Sequence, residues 1–264
     1  MTSASRSHAD ELMKRHDISE ERMSAIPRGI DASVWNPLTD AHLPSRFDPV
    51  DLSGKAKCKS DLQRDLDLPV RDDLPLIGVD AVDDTSGPAL FTKVASQLLR
   101  NDVQVVVVFG ADADGALVAT FEELWDRWPD RIAVRTGAND ELRHQLYGGA
   151  DLMIVAPEHA PAGGGDKRAH RYGALPIVHR TGALADTVVD CDAKLETGTG
   201  FAFDGHDADA LLGTVQRAIA GYGLDGFADL RARVMRIDHS WERSARMLAT
   251  LYVDLITPPQ IDAA

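Results

Sequence analysis

The chain has 264 residues, 44% of them hydrophobic, and a formal net charge of -14. Its length suffices for one large domain or two small ones, and its hydrophobic content is that of an ordinary globular protein. The negative charge would repel nucleic-acid phosphates and anionic lipids, so we expect neither nucleic acid nor a membrane surface as a partner.

The cysteines and the first residues indicate where the protein works. Cys58 and Cys191 are far apart and form no CxxC pair, which argues against a disulfide framework and a zinc knuckle. The N-terminus carries charges where a signal peptide needs an apolar core, and no apolar run approaches the roughly 18 residues of a membrane span. We therefore expect a cytoplasmic protein.

Residues 1–28 are polar, with one helical patch around 9–15, and we interpret them as a leader. Residues 29–256 form one predicted domain, and residues 257–264 are predicted to be a flexible tail. Near the start of this domain, Trp35 is most simply a hydrophobic anchor for an extended segment, with stacking on a sugar as the minor alternative.

Short apolar runs alternate with helical stretches after Pro75. The predicted strands are 76–79, 103–109, 132–134, 152–155, 175–178 and 200–203. The predicted helices are 54–66, 88–100, 115–128, 140–149, 166–172, 208–220, 226–236 and 241–255. Such alternation predicts an α/β fold with a mainly parallel sheet, flanking helices and right-handed crossovers. Runs 103–109 and 175–178 are predicted to be its central strands.

Two segments resemble a known family. RYGALPIVHRTGALADTVVD at 171–190 resembles RYGTLPIVRRTGGLADTV, and GIDASVWNP at 29–37 resembles GIDxxVWNP, both of the bacterial glycogen and starch synthases. The resemblance covers about residues 20 to 255. It implies a single Rossmann-like lobe of a GT-B glycosyltransferase, namely the C-terminal lobe that binds the nucleotide sugar ADP-glucose.

The same resemblance implies that catalytic positions have changed. Ala81 and Ser86 stand where the family has an Arg and a Lys that neutralise the diphosphate leaving group, and Ala160 stands where its Glu handles the donor glucose. Glucosyl transfer depends on electrostatic stabilisation of the leaving group and on orientation of the sugar. We therefore predict no catalytic residue and no turnover.

Some ligand-binding positions remain as candidates. A glycine loop before a helix, with cations in its first turn, can hold a phosphate or sulfate; the alternative is a loop loosened after its motif was lost. An aromatic that lies against adenine in the family is replaced by Ala138. The candidates for weak binding of a nucleotide sugar or anion are Gly110, Gly163, Gly164, Gly165, Lys167, Thr181, Gly182 and Thr199.

A metal ion and a cofactor are not expected. Asp80, Asp83 and Asp84 have the oxygen ligands that a divalent cation prefers, but a solvated acidic loop explains them more simply. His159 and His170 show no metal-ligand spacing.

Three functional hypotheses follow. The first is a catalytically inactive, glycogen-synthase-like module for binding or regulation. The second is the donor-side half of an ADP-glucose-dependent glucosyltransferase that needs a separate acceptor-lobe partner, and the third is a non-functional remnant. Leu248, Leu251, Tyr252 and Leu255 share one helical stripe, which favours a homodimer or a glycosyltransferase-lobe partner.

Overall fold

The computed structural model describes residues 1–82 and 87–257. Ser86, Asp83 and Asp84 lie outside the described residues, as does nearly all of the predicted tail. The predictions made for those positions therefore stay predictions.

The chain begins with a small parallel pair of strands around a helix. These elements are β1 (Thr2–Ser3), α1 (Arg6–His16) and β2 (Ser24–Ala25). The predicted helical patch is confirmed, and the segment is folded onto the domain: the carboxylate of Asp186 accepts the backbone N–H of Arg6 at 2.6 Å. The Ser244 hydroxyl also donates to the carbonyl of Pro27.

A six-stranded, all-parallel sheet forms the centre of the domain. Its strands are β3 (Leu76–Ala81), β4 (Gln104–Phe109), β5 (Ile132–Arg135), β6 (Leu152–Val155), β7 (Leu175–His179) and β8 (Phe201–Phe203). Nearly all of these residues are buried because helices cover both faces, which explains the continuous runs of Val, Ile and Leu.

The helices follow the predicted order. They are α2 (Ser53–Asp65), α3 (Pro88–Leu98), α4 (Gly115–Arg127), α5 (Asp140–Gly149), α6 (Gly165–Arg171), α7 (Gly182–Thr187), α8 (Ala208–Tyr222), α9 (Gly226–Val234) and α10 (Trp241–Ile256). Side-chain caps fix several starts: Asn139 accepts the N–H of Leu142 at 2.9 Å, and Ser240 accepts that of Arg243 at 3.3 Å. Among the described residues, no helix combines the length and apolarity of a membrane span.

The strand order is β5-β4-β3-β6-β7-β8. The predicted parallel α/β fold is confirmed, but the central pair is β3 and β6 rather than β4 and β7. The reason is that the chain winds outwards through β4 and β5 and then returns to the other edge of β3. This reversal creates a crevice beyond the carboxyl ends of β3 and β6, where open α/β sheets bind their ligands.

Candidate functional site

A buried carboxylate lies at this crevice. Asp80, near the end of β3, is only 4% exposed. Its Oδ2 lies 2.8 Å from Arg143 Nη2 and 3.6 Å from Arg168 Nη1, and the Tyr147 hydroxyl donates to it at 3.1 Å. The two arginines stand in the first turns of α5 and α6, which both begin at the carboxyl edge of the sheet.

This cluster already compensates the charge of Asp80. Two guanidinium groups and a phenol surround the carboxylate, and burial together with the Asp80 charge raises the pKa of Tyr147, so Tyr147 stays a neutral donor. No group of His, Cys, Asp or Glu suited to a metal ion occurs within residues 1–82 and 87–257. For Asp80, the described structure thus favours ion pairing within the protein over cation binding.

Trp35 packs against the same cluster. Its ring stacks on His144 with centroids 4.0 Å apart and an interplanar angle of 10°. The Arg168 guanidinium lies 4.8 Å from the ring centroid on the side of Asp80. Edge contacts to Tyr147 and Tyr172 complete its surroundings. These contacts support the interpretation of Trp35 as an anchor, because its ring stacks on His144 and its edges meet two tyrosines, although it also lines a cavity.

Ala160 lies in the loop after β6 and is 7% exposed. Its carbonyl accepts the N–H of Ala183 at 2.7 Å. The adjacent cavity has a volume of about 230 Å³ and is lined mainly by apolar groups and by the glycines 163–165, with Arg28 at its edge. Within the described chain, the Ala160 position therefore offers a buried methyl group and a carbonyl oxygen that is already hydrogen-bonded.

Lys167 is not part of this cavity's lining and instead lines a neighbouring cavity with Arg28. It is 2% exposed, and its Nζ donates to the carbonyl of Ala162 at 3.1 Å. Burial lowers its pKa, while the neighbouring Asp166 opposes that shift. Asp166 Oδ1 accepts the N–H of Gly164 at 2.8 Å, so one donor of the glycine loop is engaged by protein. Lys167 thus stabilises the glycine loop from its buried side, through the Ala162 carbonyl.

The loop's backbone still requires glycine. Gly163 and Gly164 have φ of 64° and 148°, while Gly165 opens α6. Gly182 has φ of 48°, and a Cβ there would lie 2.1 Å from the Ala160 carbonyl oxygen. Thr181 is the residue before α7. The structure therefore brings together the candidates 163–165, 167, 181 and 182.

The other two candidates lie apart. Gly110 follows β4, where an added Cβ would lie 3.0 Å from the Val82 carbonyl oxygen. Thr199 connects elements behind the site: its hydroxyl accepts the Val189 N–H at 2.9 Å, and its carbonyl lies 2.8 Å from His170 Nε2. Both positions have structural explanations in these contacts.

Two arginines near the crevice were missed from the sequence. Arg143 occupies the first turn of the helix after β5, a position that strand and helix boundaries could have revealed. Arg28 precedes the domain and is exposed, yet it lines three cavities around the glycine loop. No sequence pattern indicates it, because only the path of residues 27–30 along the start of α10 brings it there.

Comparisons with known proteins show which fold class and which curated proteins the chain resembles. No protein-family model matches the chain. The fold matches the catalytic domain of starch synthase IV from Arabidopsis thaliana, solved bound to ADP and acarbose, with a TM-score of 0.84 and 27% identity over 96% of this chain and 55% of that one. The fold is thus the Rossmann-like lobe of a GT-B glycosyltransferase.

The curated relatives are glycogen synthases. Glycogen synthase of Anaeromyxobacter dehalogenans (strain 2CP-C) is 40% identical over 237 residues, which are 87% of this chain and 48% of the relative. Glycogen synthase of Bacillus cereus (strain B4264) is 34% identical over 249 residues, 94% of this chain and 51% of the relative. The chain is a homologue of the glycogen synthases and corresponds to their C-terminal lobe. It spans about half the length of these relatives.

Proposed function

We propose that this glycogen-synthase-like lobe does not transfer glucose and acts as a binding or regulatory module. The residue that carries the proposal is Ala160, which by the sequence resemblance stands at the position of the family's donor-handling glutamate. Its methyl is buried and its carbonyl is hydrogen-bonded to Ala183. A methyl group can neither orient a sugar hydroxyl nor stabilise positive charge on the sugar ring.

The charges at the crevice support the same proposal. A diphosphate leaving group needs cations that are free to meet it. Here Ala81 supplies none, and Arg143 and Arg168 are directed at Asp80. Breaking a buried ion pair to bind a ligand costs several kcal/mol, so these arginines are poor substitutes for the family's cations.

Weak binding of a nucleotide sugar or another anion is the proposed residual property. Arg28 is exposed beside the glycine loop and lines a cavity of about 230 Å³ together with Arg168, Trp35 and Trp241. The related starch synthase was solved with ADP bound, which makes ADP-glucose the first ligand to examine.

The direct test is transfer of glucose from ADP-glucose to glycogen by the isolated chain. We expect turnover no higher than that of a heat-inactivated sample, and calorimetry should detect only weak donor binding. The Arg28→Gln variant should remove this residual binding, whereas Arg100→Gln, which removes an exposed charge elsewhere, should not. Turnover that a substitution at the crevice abolishes would contradict the proposal.

The second candidate is the donor-side half of an active, ADP-glucose-dependent glucosyltransferase. The observation in its favour is coverage, because the glycogen synthases that the chain matches are about twice as long. Adding the separately produced N-terminal half of such a relative tests it. Glucosyl transfer by the mixture, and by neither half alone, would establish this candidate over the inactive module.

A further inference from the structure

A second cavity lies at the opposite edge of the sheet from the crevice. It has a volume of about 540 Å³ and lies between α2, the end of α8 and α9. Asp151, on its wall, immediately precedes β6, and its Oδ2 accepts the N–H of Leu76 at the start of β3. The cavity is therefore at the amino ends of the strands, away from every candidate position considered above.

The charge of this cavity is opposite in sign to that of the chain. Its lining contains five cations: Lys55, Lys57, Lys59, Arg64 and Arg231. It contains three carboxylates: Asp61, Asp72 and Asp151. A positive surplus on a chain of net charge -14 creates a local potential that attracts anions.

The inner part of the cavity has fewer carboxylates than cations. Asp151 is contacted on one oxygen by Lys59 Nζ and on the other by Arg231 Nη2, both at 2.7 Å. Lys55 is 1% exposed, and its Nζ has the backbone carbonyls of Tyr147 and Gly148 as acceptors, at 3.3 and 3.0 Å. Burial and the nearby Arg231 charge lower the pKa of Lys55.

Arg231 also has an unused donor. Its Nε is buried and has no hydrogen-bond partner in the described part of the chain. Buried donors and buried charges are normally paired, because leaving them unpaired costs free energy. The contact of Lys55 with the last carbonyls of α5 explains that lysine as a helix cap. The Arg231 Nε is buried behind the cavity wall and is therefore not among the groups that contact a ligand.

The rim adds two accessible cations. Lys57 and Arg64 are exposed on α2 and lie seven residues apart, and therefore on one face of the helix. Arg64 lies 3.6 Å from the Asp61 carboxylate, but this pair is solvent-exposed and therefore weak, unlike the buried pair of Arg168 with Asp80. Pro44, Leu52 and Ala56 add an apolar wall. The volume is many times the roughly 30 Å³ of a water molecule, so the cavity accommodates more than a simple ion.

We propose that this basic cavity binds a small phosphorylated organic molecule, with the phosphate at the exposed cations Lys57 and Arg64. The apolar wall receives the organic part. Two accessible cations suit phosphate oxygens, and the position at the amino ends of the strands makes the site independent of the crevice.

Calorimetry on the full chain at low salt tests this site with four probes: inorganic phosphate, pyrophosphate, a hexose phosphate and the unphosphorylated hexose. We expect the phosphorylated probes to bind and the plain hexose not to bind. Tighter binding of the hexose phosphate identifies an ester as the ligand, whereas equal affinities identify the phosphate group itself; both results support the site.

Variants locate the binding. The double variant Lys57→Gln/Arg64→Gln, at exposed positions that leave the fold intact, should weaken it about ten-fold or more, which is about 1.4 kcal/mol. Lys93→Gln/Arg100→Gln makes the same charge change at exposed positions on α3 and in the turn after it, and should have no effect. Equal weakening by both double variants, loss of binding in Arg28→Gln, or no heat with any probe at millimolar concentration would each overturn the proposal.

Discussion

Asp80, near the end of β3, holds together side chains from α5 and α6. Removing its carboxylate would leave the guanidinium of Arg168 without that ion pair, weaken the environment of Arg143, and leave the Tyr147 hydroxyl without its acceptor. We expect Asp80→Ala to lower the free energy of unfolding by about 3 kcal/mol, as is typical when one partner of a buried ion pair is removed. Chemical denaturation measures this change.

A surface pair provides the control for Asp80. Asp204 pairs with Arg180 at 3.1 Å, but its side chain is 82% exposed. Asp204→Ala should change the free energy of unfolding by no more than about 1 kcal/mol. Equal effects of the two substitutions would show that the Asp80 cluster is not a structural ion pair.

Two glycines with left-handed backbones distinguish strain from steric conflict. Gly137 has φ of 66° with nothing within 4 Å of an added Cβ, whereas Gly182 has φ of 48° and faces the Ala160 carbonyl oxygen at 2.1 Å. Gly137→Ala should cost about 1–2 kcal/mol for the backbone conformation alone. Gly182→Ala should cost clearly more, because the loop after β6 must also move. Thermal unfolding of the two variants compares them, and equal losses would contradict this explanation.

At the scale of elements, Asp151 links α2, β3 and α9. Burial would raise the pKa of Asp151, but the charges of Lys59 and Arg231 outweigh burial and lower it. A carboxylate with a lowered folded-state pKa adds stability that is complete above its unfolded pKa, about 3.9. That stability is lost as the pH falls through the folded-state value.

We therefore expect the unfolding free energy of the wild-type protein to decrease as the pH falls below about 4. Asp151→Asn should be less stable at neutral pH and should show a shallower decrease in this acid range. Denaturant titrations between about pH 2 and pH 6 provide the measurement. A variant with the same acid slope as the wild type would exclude Asp151 as a contributor to that slope.

The elements themselves were largely predictable. Continuous apolar runs such as 152–155 are a local property of the sequence, and the structure confirms this strand. The central pair of strands was not predictable from hydrophobicity, because β4 and β7 are also buried on both faces. Pairing in the sheet depends on where the chain reverses its winding, which no single run encodes.

The site was predictable only in part, for a similar reason. The resemblance to the family implies the loss of a Glu, an Arg and a Lys, and the glycine loop can be read directly from the sequence. The orientation of the Lys167 side chain was not predictable. A shift of one residue in the start of this seven-residue helix turns a side chain from solvent into the protein. Arg28 and the Lys59–Asp151 contact join segments far apart in the chain, beyond the reach of any local pattern.

At the scale of the whole molecule, the end of α10 is uncovered within the described structure. Leu248 and Leu251 of the predicted stripe are half-buried, but Tyr252, Val253, Leu255 and Ile256 are 59%, 56%, 72% and 80% exposed. Such adjacent apolar side chains favour association, since their burial contributes about 25 cal/mol per Å². We propose that this end of α10 mediates self-association.

Sedimentation at tens of micromolar tests the self-association. We expect species heavier than the 28.6 kDa monomer, and we expect Leu255→Glu to restore the monomer without loss of stability, because the residue is exposed. Val50→Glu, a matched substitution at a position 87% exposed elsewhere, should leave the association unchanged. A single monomeric species for the wild type would contradict the proposal.

The strand order also has a consequence for synthesis on the ribosome. The contact of β3 with β4 follows soon after β3 is made, but the other edge of β3 must wait for β6, since Ile77 pairs with Leu152. At about 5–20 residues per second, that edge remains open for roughly 4–15 s after it leaves the ribosome. During this interval the nascent chain carries an apolar strand with one unpaired edge, the kind of surface that chaperones shield and that aggregation exploits. Translation speed between β4 and β6 therefore affects how much of this protein reaches its native state.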